Sequence, residues 1–486
     1  MTGLRGADAA VVALLISGTA VGGLSVAAQT APDRSRPPAL SAPGSLTLPT
    51  IQHQTLSNGL PIWMIESHEV PLVQLNLVIG AGAGDDTPGK FGIASFVAGM
   101  LDEGAGARSA LEIADAIELL GATIATTISF DAAAIRINVP VEHLRDVLPI
   151  IADLAIRPTF AQKDIDRLRQ ERLTALLQAR DDSGTIASLA FARVVFGPAH
   201  RYGAGLNGTE ATLKAFSAQD LRAFHSALYQ PSNATLVVVG DVTRNTVVPE
   251  LEKHLGGWKS TGNISRPTHA MPAPTEQIQI QLVDKPDAEQ SQIRIGWEGV
   301  PRSTPDFFPL LVMNTVLGGS FTSRLNQNLR EEHGYTYGAS SGFDMRLSAG
   351  PFIAGAAVQA DKTADALREF FKELNAIRGP VTNEELTRAK NYIALGFPGE
   401  FETMADVARR LEELIVYRLL DDSFSRYVAN VQAITPEAVR GVAERYIHPQ
   451  RASVIVVGDQ KSIEPGIRAL NLGPVKTMSL DEVFGR

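Results

Sequence analysis

The chain contains no cysteine among its 486 residues. Disulfide bonds, thiolate metal ligands and a cysteine nucleophile are therefore all excluded. Basic residues are fewer than acidic ones, with 44 Lys and Arg against 53 Asp and Glu. The resulting net charge of −9, with no basic run, argues against nucleic acid as a partner.

Long apolar runs are absent except near the N-terminus. There, Arg5 precedes AAVVALLISGTAVGGLSVAA, a run that ends in the small residues Val26-Ala27-Ala28. A basic start, an apolar stretch and small terminal residues are typical of a secretory signal peptide, although a retained membrane anchor is the alternative. We predict a signal peptide at residues 1–28 and export, to the periplasm. After its removal we predict no membrane association, since no later stretch of about 18 residues is apolar and uncharged.

Two irregular segments predict the borders of the folded parts. Residues 29–50 are rich in Pro and Ser and predict a flexible lead-in. Folded sequence is predicted to begin near Ile51, because Asn58-Gly59 separates two strand-like runs as a hairpin turn does. The stretch KSTGNISRPTHAMPAPT, residues 259–275, has no helical or strand periodicity and is predicted to be an inter-domain linker.

Two segments on either side of this linker resemble each other. Residues 217–241 and 435–459 align without a gap, 218 positions apart. Each begins with a Ser or Thr that can cap a helix, breaks at a proline and enters a β-branched strand, TLVVVGD or SVIVVGD. We therefore predict an internal duplication of α+β class, with homologous domains at residues 51–258 and 276–476. Each domain is expected to hold a mainly antiparallel sheet flanked by helices.

Several longer runs carry a family resemblance. In the first half they are LSNGL, VPLVQLNLVIGAGAGDDTPGKFGIASF, FGPAHRYGAGLNGT and LYQPSNATLVVVGDV, and in the second half LGGSFTSRLNQNLREEHGYTYG. On these runs the chain resembles the pitrilysin/insulinase family of zinc metallopeptidases. The resemblance implies two related α+β domains arranged as a clamp, which agrees with the duplication.

The stretch FGIASFVAGMLDEG, residues 91–104, resembles the zinc-binding helix of that family without its HxxEH motif. Ser95 and Gly99 stand at the two histidine positions, and Ala98 stands at the glutamate position. Two histidines four residues apart bind zinc from one face of a helix, and the glutamate takes a proton from the bound water. Serine, alanine and glycine can do neither, so these positions predict a degenerate site with no metal or other cofactor in this chain.

The third zinc ligand of the family is a glutamate on a later helix, in a run that corresponds here to DRLRQERLTA. Leu168, Thr174 and Ala175 stand where the resemblance leads us to expect glutamates. Asp166 and Glu171 remain, but acidic residues on an exposed helical face are usually solvated. All of the family's zinc ligands and its general base are therefore predicted to be lost.

No other catalytic motif replaces them. None of the nine histidines lies three or four residues from another, and neither HxxEH nor HExxH occurs. One G-x-S-x-G run occurs, GASSG at residues 338–342, but this motif indicates a serine nucleophile only at a strand-to-helix turn, and no helical pattern follows the run here. Hydrolysis by this chain alone is therefore not predicted.

The second half keeps a different pair of residues, Arg330 and Tyr337, in LREEHGYTYG. The resemblance implies that this pair reaches across the clamp and contacts the substrate backbone and the carbonyl under attack. A guanidinium and a phenol can both donate hydrogen bonds to a developing oxyanion. The alternative is that Arg330 is a surface residue and Tyr337 packs in a strand. Tyr335 is a second phenol at a less suitable spacing, and His333 is equally consistent with an exposed turn.

The glycine-rich run before this pair is predicted to contact substrate. It contains Gly318, Gly319 and Ser320, whose small side chains keep the backbone thin, and Arg324 follows four residues later. For Arg324 a structural salt bridge or helix cap is an equally good interpretation.

The sequence therefore has the Arg/Tyr pair of the second half but lacks the zinc-binding residues of the first half. This division predicts a non-catalytic subunit of a heteromeric zinc peptidase, inactive alone. Its partner would be a homologous HxxEH-bearing subunit that holds the zinc, in a heterodimer or a dimer of heterodimers, and its substrates would be peptides. The alternatives are a non-enzymatic scaffold and a peptide-binding protein that holds extended peptides against a sheet edge. The preserved Arg330 and Tyr337 argue against a pure scaffold.

Overall fold

The computed structural model describes residues 48–271 and 273–485. The predicted signal peptide and residues 29–47 of the predicted lead-in lie outside these ranges. Among the helices within them, none combines the length and the apolar character needed to cross a bilayer.

Each half of the chain contributes one six-stranded sheet. The strands of the first half, including a two-stranded ribbon formed by β4 and β5, are β1 (Gln52–Thr55), β2 (Pro61–Glu66), β3 (Leu72–Ile79), β4 (Gly104–Ala105), β5 (Arg108–Ser109), β6 (Thr123–Ile128), β7 (Ala133–Pro140) and β8 (Ala234–Gly240). Those of the second half are β9 (Gln279–Asp284), β10 (Gln290–Glu298), β11 (Thr336–Phe343), β12 (Pro351–Gln359), β13 (Ser453–Gly458) and β14 (Val475–Thr477).

Helices connect the strands in both halves. The first half has α1 (Ile93–Ala98), α2 (Ala110–Leu119), α3 (Leu144–Ile156), α4 (Gln162–Ala179), α5 (Ser183–Phe196), α6 (Glu210–Ala215), α7 (Ala218–Leu228) and α8 (Arg244–Leu255). The second half has α9 (Phe307–Leu317), α10 (Arg324–Asn326), α11 (Thr363–Ala376), α12 (Asn383–Gly396), α13 (Met404–Tyr417), α14 (Tyr427–Gln432), α15 (Pro436–Tyr446), α16 (Gln460–Ala469) and α17 (Leu480–Phe484). A π-helical turn, Gln327–Glu332, follows α10.

The sheet topology confirms the duplication. The first sheet has the order β1-β2-β8-β3-β7-β6, and the second has β11-β12-β10-β13-β9-β14. Five strands of each sheet therefore follow the same order, β2-β8-β3-β7-β6 corresponding to β9-β13-β10-β12-β11. The register agrees as well, since Asn76 lies opposite Val237 in the first sheet and Arg294 lies opposite Ile455 in the second. Both pairs of equivalent positions are 218 residues apart.

Local predictions near the borders also agree with the structure. β1 and β2 pair antiparallel across the turn that contains Gly59, whose φ of 87° favours glycine. The described part of the predicted linker, residues 259–271 and 273–275, contains no helix or strand. It is fastened to the first half, because Arg266 pairs with Asp85 at 2.8 Å and His269 Nε2 contacts the carbonyl oxygen of Gly84 at 2.9 Å. The exact domain borders stay predictions.

The two halves exchange one helix each. One face of each sheet packs on helices of its own half, while the opposite face, here called the outer face, receives a helix from the other half. Phe191 and Ala187 of α5 pack with Val457 of the second sheet. Leu411 and Leu414 of α13 pack with strands β2, β3 and β8 of the first sheet. The exchange buries apolar surface from both halves and so couples their stability.

Candidate functional site

Helix α1 and the residue that ends it carry the three degenerate metal-site positions, and the first turn of the helix is fixed by a buried ion pair. Asp86 accepts hydrogen bonds from the backbone N–H groups of Gly92 and Ala94, at 2.6 and 2.9 Å. Its carboxylate also pairs with Arg201 Nε at 2.8 Å, and neither side chain is exposed. Burial raises the pKa of Asp86 to about 6, against the opposing effect of Arg201. The ion pair and these hydrogen bonds therefore fix the start of α1.

Ser95, Ala98 and Gly99 lie together at the end of this short helix. Ser95 and Ala98 are each only 3% exposed, and Gly99 is the residue at which the helix ends. The Ser95 hydroxyl donates to Asn207 Oδ1 at 2.8 Å. These positions offer no imidazole or carboxylate, so their donor set does not fit a zinc ion.

A residue that the sequence analysis missed, Arg172 of α4, occupies the face of α1 that carries these positions. Its Nη1 donates to the Ser95 hydroxyl at 3.1 Å and its Nη2 donates to the Ser95 carbonyl at 2.7 Å. A Cβ at Gly99 would lie 2.6 Å from Arg172 Nη2, so a larger residue there would displace the guanidinium. Burial lowers the pKa of Arg172 to about 10, which leaves it cationic at neutral pH. A fixed positive charge in this place further disfavours a metal cation.

The residues of α4 near the position of the family's third zinc ligand do not form a metal site either. Thr174 is exposed and donates to the Gln170 carbonyl within its own helix. Asp166 pairs with Arg169, and Glu171 pairs with Arg167 at 2.6 Å, both on the exposed side of the helix. Across the residues that the structure describes, no group of three His, Asp or Glu side chains is arranged to hold a metal ion.

The glycine-rich run of the second half lies between α9 and strand β11. A Cβ at Gly318 would lie 2.4 Å from the Ser341 backbone nitrogen, so this position has no room for a side chain. The Gly318 carbonyl instead accepts a hydrogen bond from that nitrogen at 3.1 Å. Gly319 N–H donates to the Asn314 carbonyl, and the Ser320 hydroxyl donates to the Thr315 carbonyl. The run is therefore a close-packed turn at the end of α9, and its substrate contact stays a prediction.

Arg324 is held by a carboxylate. Its Nε and Nη2 donate to the two oxygens of Glu385, at 2.6 and 3.0 Å, which ties α10 to α12. Although burial opposes the shift, hydrogen bonds from Arg324 and Thr382 lower the pKa of Glu385 to about 2. The structure thus contains the salt bridge that the sequence left open as one interpretation, and a substrate contact by Arg324 stays a prediction.

Arg330 lies in the π-helical turn and faces the surface. Its guanidinium stacks over the ring of Phe321, with 4.4 Å between the guanidinium carbon and the ring centroid. Its Nε lies 3.4 Å from a carboxylate oxygen of the neighbouring Glu331. Phe321 is itself 58% exposed, an unusual surface for a large apolar side chain. A π-helical turn is also uncommon and occurs often at functional sites.

Tyr337 is 90% exposed at the start of strand β11. The pairing of β11 with β12 shifts register between Thr336 and Ala339, and such an irregularity re-aims the side chains within it. Within the described residues, the structure gives the Tyr337 hydroxyl no hydrogen-bond partner. Tyr335, by contrast, stacks on His333 with ring centroids 4.9 Å apart. Tyr337 is therefore the accessible phenol of this segment.

Comparison with known proteins identifies the family. The profile described as insulinase, peptidase family M16, matches residues 62–183, and the profile described as the peptidase M16 inactive domain matches residues 215–393. The chain belongs to the M16 peptidase family. This M16 chain is 25% identical over 413 residues to YmxG, an uncharacterized zinc protease of Bacillus subtilis, covering 84% of this chain and 98% of YmxG. An uncharacterized zinc protease of Streptomyces coelicolor is 24% identical, covering 85% and 90% of the two chains.

Solved structures share the fold of this M16 chain. A peptidase M16 inactive domain from Pseudomonas fluorescens superposes with a TM-score of 0.78 at 23% identity, covering 84% of this chain and 98% of that one. A protease from Helicobacter pylori superposes with a TM-score of 0.77 at 20% identity, covering 85% and 100%. The family and the two-domain α+β fold are thereby confirmed. The chain is an M16 member of non-catalytic type, since its α1 lacks the family's HxxEH residues.

Proposed function

We propose that this chain is the non-catalytic subunit of a heteromeric M16 zinc peptidase, to which it supplies Arg330 and Tyr337. The observation that carries this proposal is the contrast between the two sites. The first-half site is closed by the Arg172 guanidinium, which donates to Ser95. The second-half pair lies at the surface, and Tyr337 is 90% exposed.

Physical chemistry supports this role for the pair. A phenol and a guanidinium beside a peptide carbonyl stabilise the negative charge that develops on its oxygen during hydrolysis. This chain has no means of activating water, because Ala98 cannot act as a general base and the α1 site does not fit zinc. A homologous subunit with an intact HxxEH helix would hold the zinc and supply that activation. Tyr337 and Arg330 would then bind and polarise the peptide.

The surface around the pair also supports a partner. Phe321 and Tyr337 are both large, exposed and close in sequence to Arg330. Exposed aromatic side chains beside an arginine are the composition from which protein interfaces and ligand sites are built. A pure scaffold has no requirement for an accessible phenol and guanidinium together. The export signal predicted at residues 1–28 would direct this assembly to the periplasm.

The test is reconstitution with a sister subunit. Each homologous HxxEH-bearing chain encoded in the same genome, beginning with any neighbouring gene, is co-expressed with this chain and analysed by size-exclusion chromatography. We expect one of them to co-elute in equal amounts and only the complex to cleave an unstructured peptide. Chelator-sensitive cleavage by this chain alone, with contaminating peptidase excluded, would contradict the proposal. Failure of every such sister to bind would favour the scaffold or peptide-binding alternatives.

A further inference from the structure

The outer face of the second sheet is only partly covered. Helix α5 packs on β13 and β10, and its apolar cluster includes Val283 of β9. Beyond it, an open trough of about 550 Å³ extends over β12 and β11. Small residues make up more than half of its lining, and the larger uncharged residues there are Gln292, Phe343 and Ile353.

Arg294 of β10 also lines this trough. Its Nη1 donates to the Ile293 carbonyl at 2.9 Å and reaches Gln292 Oε1 at 3.5 Å. Gly355 lies directly opposite on β12, and a Cβ there would lie 3.1 Å from both Cδ and Nη1 of Arg294. The glycine therefore gives the arginine side chain the space to lie across the sheet and into the trough.

The guanidinium of Arg294 is incompletely neutralised. Burial lowers its pKa, and Asp182 at the start of α5 acts on it only electrostatically. No carboxylate forms a salt bridge with Arg294 in the part of the chain that the structure describes. Asp344 also lines the trough, but its carboxylate is hydrogen-bonded by Arg346 Nε at 2.9 Å.

The equivalent face of the first half carries an arginine that is neutralised by a carboxylate of the same chain. Asn76 is the equivalent of Arg294, and Arg136 lies opposite Asn76 as Gly355 lies opposite Arg294. Glu412 of α13 reaches both, accepting from Asn76 at 2.6 Å and from Arg136 Nε at 2.8 Å. α5 and α13 are both 14 residues long. Counted from the start of each helix, Phe191 of α5 stands at the position that Glu412 has in α13. The second half thus has a cation on the sheet without the matching internal carboxylate.

We propose that the trough binds an extended peptide segment and that Arg294 receives a carboxylate of that peptide, from an acidic side chain or the C-terminus. Charge complementarity supports this occupant, since a partly buried guanidinium with free donors binds carboxylates strongly. The trough begins at Gly338, next to Tyr337, and β11 is an edge strand with an unpaired side. The claim that such peptides are substrates rests on the proposed function. The claim that they bind in the trough does not.

The experiment measures binding of three fluorescein-labelled peptides to the purified chain without any partner. They share one unstructured sequence and carry a central Glu with an amidated C-terminus, a central Gln with an amidated C-terminus, or a central Gln with a free C-terminus. We expect the first or the third to bind about tenfold or more tightly than the uncharged second, and this preference identifies the source of the carboxylate. Arg294→Gln should abolish the preference. Arg440→Gln, a change on the exposed side of α15, should retain it.

A second variant fills the trough without altering its charge. A Cβ at Gly342 meets nothing within 4 Å, so Gly342→Leu is expected to fold normally and to weaken binding of all three peptides. Equal binding of the three peptides by the wild-type chain, or an unchanged preference in folded Arg294→Gln, would overturn the inference. Cleavage assays of the reconstituted pair judge the proposed function separately, because these binding measurements need neither zinc nor a partner.

Discussion

The two halves have the same five-strand core in the same register, yet their outer faces differ in how completely they are covered and neutralised. In the first half, Glu412 from the exchanged helix neutralises Arg136 and binds the buried Asn76. In the second half, Phe191 stands in place of that carboxylate, and Arg294 borders an open trough. The two halves therefore share a backbone frame and each receives one exchanged helix, but an internal carboxylate neutralises the cation only under the helix of the first half.

The two candidate sites repeat this contrast. The α1 site keeps its supporting ion pair, Asp86 with Arg201, but is filled by Arg172. The second-half pair keeps reactive donors at the surface, with Tyr337 almost fully exposed. Residues that support α1 cannot change without disturbing many packing contacts, whereas the loss of a few ligating side chains leaves the packing intact. The comparison separates residues that stabilise the fold from those that act on a partner or substrate.

The largest effect is expected at Tyr337. In the reconstituted complex, Tyr337→Phe should lower turnover about 10²- to 10³-fold, the usual loss for one oxyanion donor. Arg330→Ala should also weaken substrate positioning and so raise KM as well as lower kcat. Steady-state peptide cleavage gives both constants, and size-exclusion chromatography checks assembly. Full activity from an assembled complex with both substitutions would mean that this pair is structural.

The next effect concerns the closed face of the first half. Glu412→Ala should lower the free energy of unfolding by about 3 kcal/mol, because it leaves the Arg136 charge and the Asn76 amide without their acceptor. Urea denaturation measures the change. Glu444→Ala is the matched control, since its pairing with Arg440 is exposed and contributes less than about 1 kcal/mol. Equal, small losses in both variants would show that the interface between the halves does not depend on this network.

Acid should reveal a further difference between the halves. His225 of α7 is buried, bonds the Ala155 carbonyl at 3.0 Å and stands where the second half has Ala443. Burial lowers its pKa to about 4, below the unfolded value, so the unfolded chain binds more protons and stability falls as pH drops from about 6.5 to 4. The loss attributable to His225 is expected to be about 2 kcal/mol.

Denaturation of His225→Gln at several pH values measures this contribution. The variant should lose less stability on acidification than the wild-type chain. Identical pH profiles for the wild type and His225→Gln would exclude a role for this histidine in acid sensitivity.

The smallest effect distinguishes two arginines of the second half. Arg324→Gln should cost about 1–2 kcal/mol of stability through loss of its paired hydrogen bonds to Glu385. Arg330→Gln should change stability by less than about 0.5 kcal/mol, because its partners are near the surface. A double-mutant cycle with Glu385→Gln measures the coupling. If Arg324→Gln leaves stability intact but raises KM of the complex, Arg324 binds substrate after all.

Much of this structure follows from local sequence. The duplicated helix and strand, 218 residues apart, predicted equivalent strands, and the sheets confirm that equivalence to single-residue register. The capping box of Ser217 and Asp220 likewise marks the first residue of α7. Such features are predictable because turn, cap and strand preferences act over a few residues.

Features that depend on long-range packing were not predicted. The exchange of α5 and α13 joins residues more than a hundred positions apart, and nothing local specifies it. Leu177 has helical spacing from Leu173 of α4, which predicts a place in the apolar face of that helix, but it is 61% exposed. Arg172 was overlooked although it lies four residues after Leu168, on the face that meets α1. A charged residue within an apolar helical stripe was the available signal.

The central claim is that the metal and the Arg/Tyr pair belong to different chains, and zinc content tests it most directly. The purified chain is dialysed against metal-free buffer, then analysed for zinc alone and after assembly with its HxxEH-bearing partner. We predict no stoichiometric zinc in the isolated chain and about one zinc per assembled pair. About one tightly held zinc per isolated chain would contradict a division of the site between two subunits.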